Sequence, residues 1–267
     1  MPVIPIVSLD DPRLADYRNI PDSELLASRG IFIAEGRLVV RRLLKRSRFT
    51  TRSLLVTPTA HASLADIEPR LRALPVYVVE QEVLNGVAGF NVHRGCLAVG
   101  ERGVAANWRD TIGAIRLALA IECVGDADNV GAIFRNAAAF DAGAVLIGPG
   151  CADPLYRKAI RTSMGATLQV PFAALADWPA DLNGLQAAGF TLAALTPDPG
   201  AEAIGRWARA LTPHGRVALL VGHEGAGLSD SALDAADARV RIPMPGGTDS
   251  LNVATATALA LYELGAR

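Results

Sequence analysis

The chain has 267 residues, 51% of them hydrophobic and 20% charged, with a formal net charge of −1. That length suits one large domain or two modest ones, and the composition carries no mark of disorder. No apolar run reaches the roughly 18 residues that a bilayer crossing needs. The start, Met1-Pro-Val-Ile-Pro-Ile-Val, lacks the basic region and long apolar core of a signal peptide. A cytoplasmic protein with no membrane partner is expected. Cys96, Cys123 and Cys151 are far apart and form no CxxC pair, so neither a disulfide framework nor a metal site is expected. They read as small hydrophobes in or near cores.

A net charge near zero argues at first against a nucleic-acid partner, but the charge is unevenly spread. Residues 1–107 carry a net +3 and residues 108–267 a net −4. Arg37, Arg41, Arg42, Lys45, Arg46, Arg48 and Arg52 fall within sixteen residues that hold no acid. A local patch of this kind binds phosphate even on a neutral chain; its alternative is a solvated helix face. Within residues 31–46 the spacing of Leu38, Val39, Leu43 and Leu44 predicts a helix with the arginines on its other side. Short β-rich runs follow at 53–56, 76–79 and 96–99, with a helical stretch over about 60–73. These elements predict a small α/β domain over 1–103 and a linker over 104–115.

From 116 to 267 mainly apolar runs at 117–124, 143–148, 190–195, 217–221 and 239–242 alternate with helical stretches at about 129–141, 154–164, 181–188 and 229–236. A last helix is expected over about 251–264. This alternation predicts a parallel sheet covered on both faces. Sites in such sheets lie in the loops beyond the strand C-termini. Those loops hold no GxGxxG fingerprint, P-loop or Gly-x-Ser-x-Gly elbow. His61, His93, His214 and His223 show no metal-ligand spacing, and a lone histidine is usually structural or exposed.

Three strand-end loops stand out. In Gly125-Asp-Ala-Asp-Asn-Val-Gly-Ala-Ile-Phe-Arg-Asn136, Asp128 or Asn129 is placed to cap the following helix, with Arg135 nearly two turns further on. In Val217-Ala-Leu-Leu-Val-Gly-His-Glu-Gly-Ala-Gly-Leu-Ser229, three glycines in six residues surround Glu224 and allow close backbone approach to a ligand. In Ile242-Pro-Met-Pro-Gly-Gly-Thr-Asp-Ser-Leu-Asn-Val-Ala254, Asp249 or Ser250 would cap the last helix, with Ser250 and Asn252 beside free backbone N–H groups. Each loop alone also fits a plain capped helix or tight turn.

Together, in this order, the three loops resemble the motifs of the SpoU/TrmH family within the SPOUT methyltransferases. The match rests on Asn129-x-Gly131 with Arg135, on Gly222-x-Glu224-Gly225-x-Gly227, and on Ile242-Pro-Met244 with Ser250-Leu-Asn-Val253. Arg161-Thr-Ser-Met-Gly-Ala166 looks like the family's connecting helix. A weaker similarity at Phe32-Ile-Ala-Glu-Gly36 and His93-Arg-Gly95 suggests the family's substrate-binding domain, which looks like a ribosomal-protein-type RNA-binding fold.

The resemblance implies a parallel α/β sheet with a C-terminal trefoil knot over 116–267, a homodimer, and S-adenosyl-L-methionine as cofactor. The cofactor would meet Leu195, Thr196, Gly222, Glu224, Gly227, Ile242, Met244, Leu251 and Val253. The reaction implied is methylation of a ribose 2′-hydroxyl in RNA, ribosomal RNA rather than transfer RNA. Arg135, Asn129, Glu224, Ser250 and Asn252 would be the catalytic set. The family role implied for Arg135 is activation of the hydroxyl. Because a guanidinium keeps its proton at neutral pH, stabilising a developing alkoxide or orienting phosphate is the sounder chemistry. Arg37, Arg41, Arg42, Lys45 and Arg46 would hold RNA. The competing readings are a nucleotide-binding enzyme of ordinary doubly wound type and a non-catalytic RNA-binding protein on the same fold.

Overall fold

The computed structural model describes residues 3–212, 214–245 and 250–265. Two compact units form, one from the chain up to Val104 together with Pro154–Gln169, the other from Ala105–Asp153 with Val170 onward.

The first unit holds a five-stranded sheet of β1 (Val3–Pro5), β2 (Ile31–Glu35), β3 (Thr50–Val56), β4 (Val76–Val78) and β5 (Cys96–Glu101), in the order β1-β4-β3-β5-β2. β1, β4 and β3 run parallel, while β5 is antiparallel to β3 and β2. The stretch expected to be helical from residue 31 therefore begins as a strand, because Ile31-Phe-Ile-Ala34 is apolar on both faces and fully buried. The helix itself is Arg37–Arg46 and buries Val39, Val40, Leu43 and Leu44. The expected helix over 60–73 is broken into Pro58–Ala62, a 3-10 turn and Glu68–Leu71, and Pro69 opens the last of these. Leu14, Leu25, Ile31, Ile33, Leu55, Leu84 and Leu97 form the core.

The segment Pro154–Gln169 belongs to this first unit, not to the C-terminal part in which the sequence places it. Arg157 explains the attachment. Its Nε donates to Asp22 Oδ1 at 2.6 Å, its backbone N–H to Asp22 Oδ2 at 2.8 Å, and its Nη2 to the Ile20 carbonyl at 2.9 Å. Arg42 Nη1 donates to the Met164 carbonyl at 2.6 Å.

The second unit is a seven-stranded sheet of β6 (Leu117–Ile121), β7 (Ala144–Ile147), β8 (Phe172–Ala174), β9 (Phe190–Leu195), β10 (Glu202–Ala203), β11 (Arg216–Val221) and β12 (Ala238–Arg241), ordered β10-β12-β9-β11-β6-β7-β8. Every pairing in it is parallel. Ala118, Leu119, Ala120 and Ile121 of β6 are completely buried, as expected of a strand covered on both faces. One face packs Ala118, Ala120, Leu192, Leu220 and Leu146 against Trp108, Leu182 and Leu185. Helices Ala127–Ala139 and Val253–Gly265 pack against each other.

The expected linker over 104–115 contains the short helix Trp108–Thr111, capped by Asn107, and Trp108 lies in the core of the second unit. Its Nε1 donates to the buried carboxylate of Asp181 at 2.9 Å. Arg109 lies over the indole at 4.2 Å. Trp108→Phe removes the donor and leaves that carboxylate short of a partner, so it should cost about 1–3 kcal/mol in urea unfolding. Trp108→Ala should cost about 3–5 kcal/mol, since it also opens a cavity. Unchanged unfolding in both variants would return this segment to the status of a tether.

Candidate active site

A parallel sheet brings all its strand C-termini to one edge. β12, β9, β11 and β6 are neighbours, so the loops that follow them converge. The chain leaving β6 runs to one side of the sheet, through β7 and β8. The chain leaving β11 runs to the other, to β12. The edge between β6 and β11 is thus the point where ligands settle in open sheets of this class.

The first loop begins at Glu122, which is buried and accepts from the backbone N–H of Ser229 at 2.8 Å and from its hydroxyl at 2.7 Å. It ties the start of the first loop to the end of the second. Helix Ala127–Ala139 is capped by Asp126, which accepts from the Asp128 N–H at 2.9 Å. The cap is neither Asp128 nor Asn129, and Asn129 is thereby free to face the loops.

The loop after β11 is a closed turn. His223 and Gly227 exchange both backbone hydrogen bonds at 3.0 Å. Gly222 is obligatory, because a Cβ there would stand 2.3 Å from the Gly227 backbone. His223 Nδ1 accepts from the N–H of Gly225 at 2.8 Å and of Ala226 at 3.1 Å.

The third loop ends in Asn252, whose Oδ1 accepts from the N–H of Ala254 at 3.0 Å and of Thr255 at 3.2 Å. Asn252 therefore caps helix Val253–Gly265, the role expected of Asp249 or Ser250. Gly246, Gly247 and Asp249 lie outside the described residues. The same Asn252 donates through Nδ2 to Asn129 Oδ1 at 3.0 Å and to Glu224 Oε1 at 2.5 Å. Glu224 Oε1 also accepts from the Val253 N–H at 3.3 Å. Asn136 Nδ2 secures the helix start by donating to the Ala254 carbonyl at 2.7 Å.

Two cavities flank this junction. One, of about 300 Å³, is lined by all nine residues named for the cofactor, Leu195, Thr196, Gly222, Glu224, Gly227, Ile242, Met244, Leu251 and Val253, and also by His223 and Ser250. The other, of about 480 Å³, is lined by Cys123, Gly125, Asp126, Asn129, His223 and Glu224 among others. His223 and Glu224 belong to both walls. Cys123 is exposed here in a left-handed conformation, unlike the core residue expected. Burial pushes the neighbouring Cys151 thiol up to about 11, so it stays neutral. Among the described residues no three His, Cys, Asp or Glu side chains gather as a metal site would require.

The structure thus brings Asn129, Glu224, Asn252 and Ser250 together and leaves Arg135 apart. Arg135 is exposed on helix Ala127–Ala139, lines neither cavity, and has no partner among the described residues. Of the basic residues, Arg41 is engaged with Asp66 and the Ser63 carbonyl, Lys45 with Asp66, Arg42 with Met164, and Arg37 with the Arg94 carbonyl. Arg46 is exposed and has no partner among the described residues. The sequence offered no signal for Glu122 and His223 beyond their places just after strands, and none for Asn136, which lies within helix Ala127–Ala139.

The SpoU rRNA methylase family model matches residues 116–262. This chain belongs to that family. A relative in Mycobacterium tuberculosis, named as an uncharacterized tRNA/rRNA methyltransferase, is 47% identical over 262 residues, covering 95% of this chain and 88% of its own. A 23S rRNA (guanosine-2′-O-)-methyltransferase of Xanthomonas campestris is 31% identical over 79% of this chain and 86% of its own. The crystal structure of an AdoMet-bound rRNA methyltransferase from Sinorhizobium meliloti superposes with a TM-score of 0.82 at 27% identity, covering 98% of this chain and 97% of that one.

The Asn252 junction makes a stability prediction. Asn252→Asp keeps an acceptor for the helix cap but sets a carboxylate against Glu224, and should cost about 1 kcal/mol in urea unfolding at neutral pH, a modest figure because both groups are exposed. Adding Glu224→Gln should recover most of that loss. If the double variant is as weak as the sum of the two single changes, the contact carries no energy.

Proposed function

We propose that this SpoU-family protein transfers a methyl group from S-adenosyl-L-methionine to a ribose 2′-hydroxyl of RNA, with ribosomal RNA as its substrate. The observation that carries the reading is that the loops after β9, β11 and β12 line one cavity, beside the junction where Asn252 meets Asn129 and Glu224. The cavity suits the group. Leu195, Ile242, Met244, Leu251 and Val253 give it apolar walls for an adenine ring, while Glu224, Ser250 and loop backbone give polar contacts for an amino-acid end. When bound, the cofactor supplies a methyl group already activated on a sulfonium. The protein's work is then alignment and charge stabilisation, without a metal.

Asn129 and Glu224 line the second cavity, where they would orient the acceptor nucleotide, and Ser250 would position ribose or backbone. Arg135 would stabilise the alkoxide developing at the 2′-oxygen or hold an adjacent phosphate. The trefoil knot implied by the family belongs to this reading, as do a ribosomal-protein-like RNA-binding fold for the first unit and work in the cytoplasm, where such RNA resides. So does a homodimer, which is supported by Leu259, 43% exposed, and Tyr262, 61% exposed, on the last helix. Arg37, Arg41, Arg42, Lys45 and Arg46 would hold RNA, with Lys45 and Arg46 the most exposed of them.

S-adenosylhomocysteine should bind in calorimetry and NAD should not. Arg135→Ala should abolish methyl transfer while leaving S-adenosylhomocysteine affinity within a few fold; equal loss of both would reassign Arg135 to cofactor binding. Mapping 2′-O-methyl sites in total RNA with and without the gene should reveal one missing ribosomal site, and no change in any RNA would sink the reading. Lys45→Ala with Arg46→Ala should weaken binding of a 23S rRNA transcript and lower the salt slope by about 1–2. An unchanged slope would assign the patch to solvent.

A further inference from the structure

His223 does something the reaction chemistry does not require of it. Its ring turns back on its own loop, and Nδ1 accepts from two consecutive backbone N–H groups, those of Gly225 and Ala226. A nitrogen that accepts carries no proton, so the neutral ring holds its proton on Nε2, away from those two amides. The backbone of the same residue closes the turn by pairing with Gly227. Within that closed turn sits Glu224, and the carboxylate reaches out of it to Asn252 and to the first N–H of the last helix. The far end of the turn is fixed by Glu122 on Ser229. The near end follows directly on β11, whose last residue, Val221, accepts from the Glu122 N–H at 2.9 Å, and between the two ends the imidazole holds the amides of Gly225 and Ala226.

We propose that His223 is a positioning residue for methyl transfer: by capturing the amides of Gly225 and Ala226 it fixes the turn from which Glu224 grips Asn252, and so sets the wall that the two cavities share. The inference rests on the methyltransferase reading for its consequence, since the wall in question borders the cofactor cavity. It differs from an exposed histidine of no account in demanding an acceptor at one atomic position. Asparagine places Oδ1 where histidine has Nδ1. Glutamine carries its acceptor one bond further out, and alanine has none.

The test uses the full chain and three variants, His223→Ala, His223→Asn and His223→Gln, titrated with S-adenosylhomocysteine in calorimetry. Losing two loop-ordering hydrogen bonds should weaken binding about tenfold in His223→Ala. His223→Asn should stay within about threefold of the starting protein, and His223→Gln should resemble the alanine variant. Amide hydrogen exchange read by mass spectrometry separates positioning from local shape: His223→Ala should speed exchange both in peptides spanning 223–227 and in those spanning 251–256, and His223→Asn should restore both. Full binding by His223→Ala, equal recovery by Gln and Asn, or unaltered exchange at 251–256 would each overturn the proposal. Failure of the unmutated protein to bind S-adenosylhomocysteine would instead sink the methyltransferase reading, and the exchange measurement would still decide the role of His223.

Discussion

Asn252 is where three separate stretches of chain become one site. A single amide side chain caps the last helix through its oxygen and grips Asn129 and Glu224 through its nitrogen. An amide can do both because it is donor and acceptor at once. A serine or aspartate at this position would cap the helix equally well but offers no –NH₂ group for two acceptors. The requirement is therefore for asparagine, and it comes from the loops, not from the helix.

The remainder of the second unit serves that convergence. Four adjacent parallel strands deliver their ends to one edge, and small buried alanines in β6, β9 and β11 let helices lie close on both faces. Glu122 is a buried carboxylate that accepts from both the backbone N–H and the hydroxyl of Ser229, so the cost of burying it is offset by two strong hydrogen bonds. Glu122 on Ser229 and Asn252 on the last helix fix the loop ends, which is how chain outside the sheet is made to hold a geometry.

The parallel sheet was legible because near-continuous apolar runs leave few other options: the runs at 117–124, 190–195 and 217–221 become β6, β9 and β11. Short or polar pieces such as Glu202–Ala203 and Phe172–Ala174 lack the length for a period to register. Residues 31–35 were misread because a fully buried strand and a buried helix segment share the same apolar content. The caps were misplaced by two or three residues in both functional helices. Asp126 and Asn252 compete with neighbours of equal propensity, and only the path of the incoming chain decides between them. The membership of Pro154–Gln169 in the first unit depends on Arg157 meeting Asp22 from 135 positions away, which no local pattern encodes.

The basic patch and Arg135 show opposite outcomes for the same residue type. Arg41 and Arg42 sit in the densest run of positive charge, yet their guanidinium groups are spent on carbonyls and Asp66 within the first unit. Charge density along a sequence measures potential, and the structure decides which cations remain to meet a polyanion. Arg135 comes from no such run and is left bare. It lies on the helix that packs against the last helix, whose Leu259 and Tyr262 are also turned outward. What separates Arg135 from Arg41 and Arg42 is thus exposure without a partner among the described residues, and not the number of charges near it in the sequence.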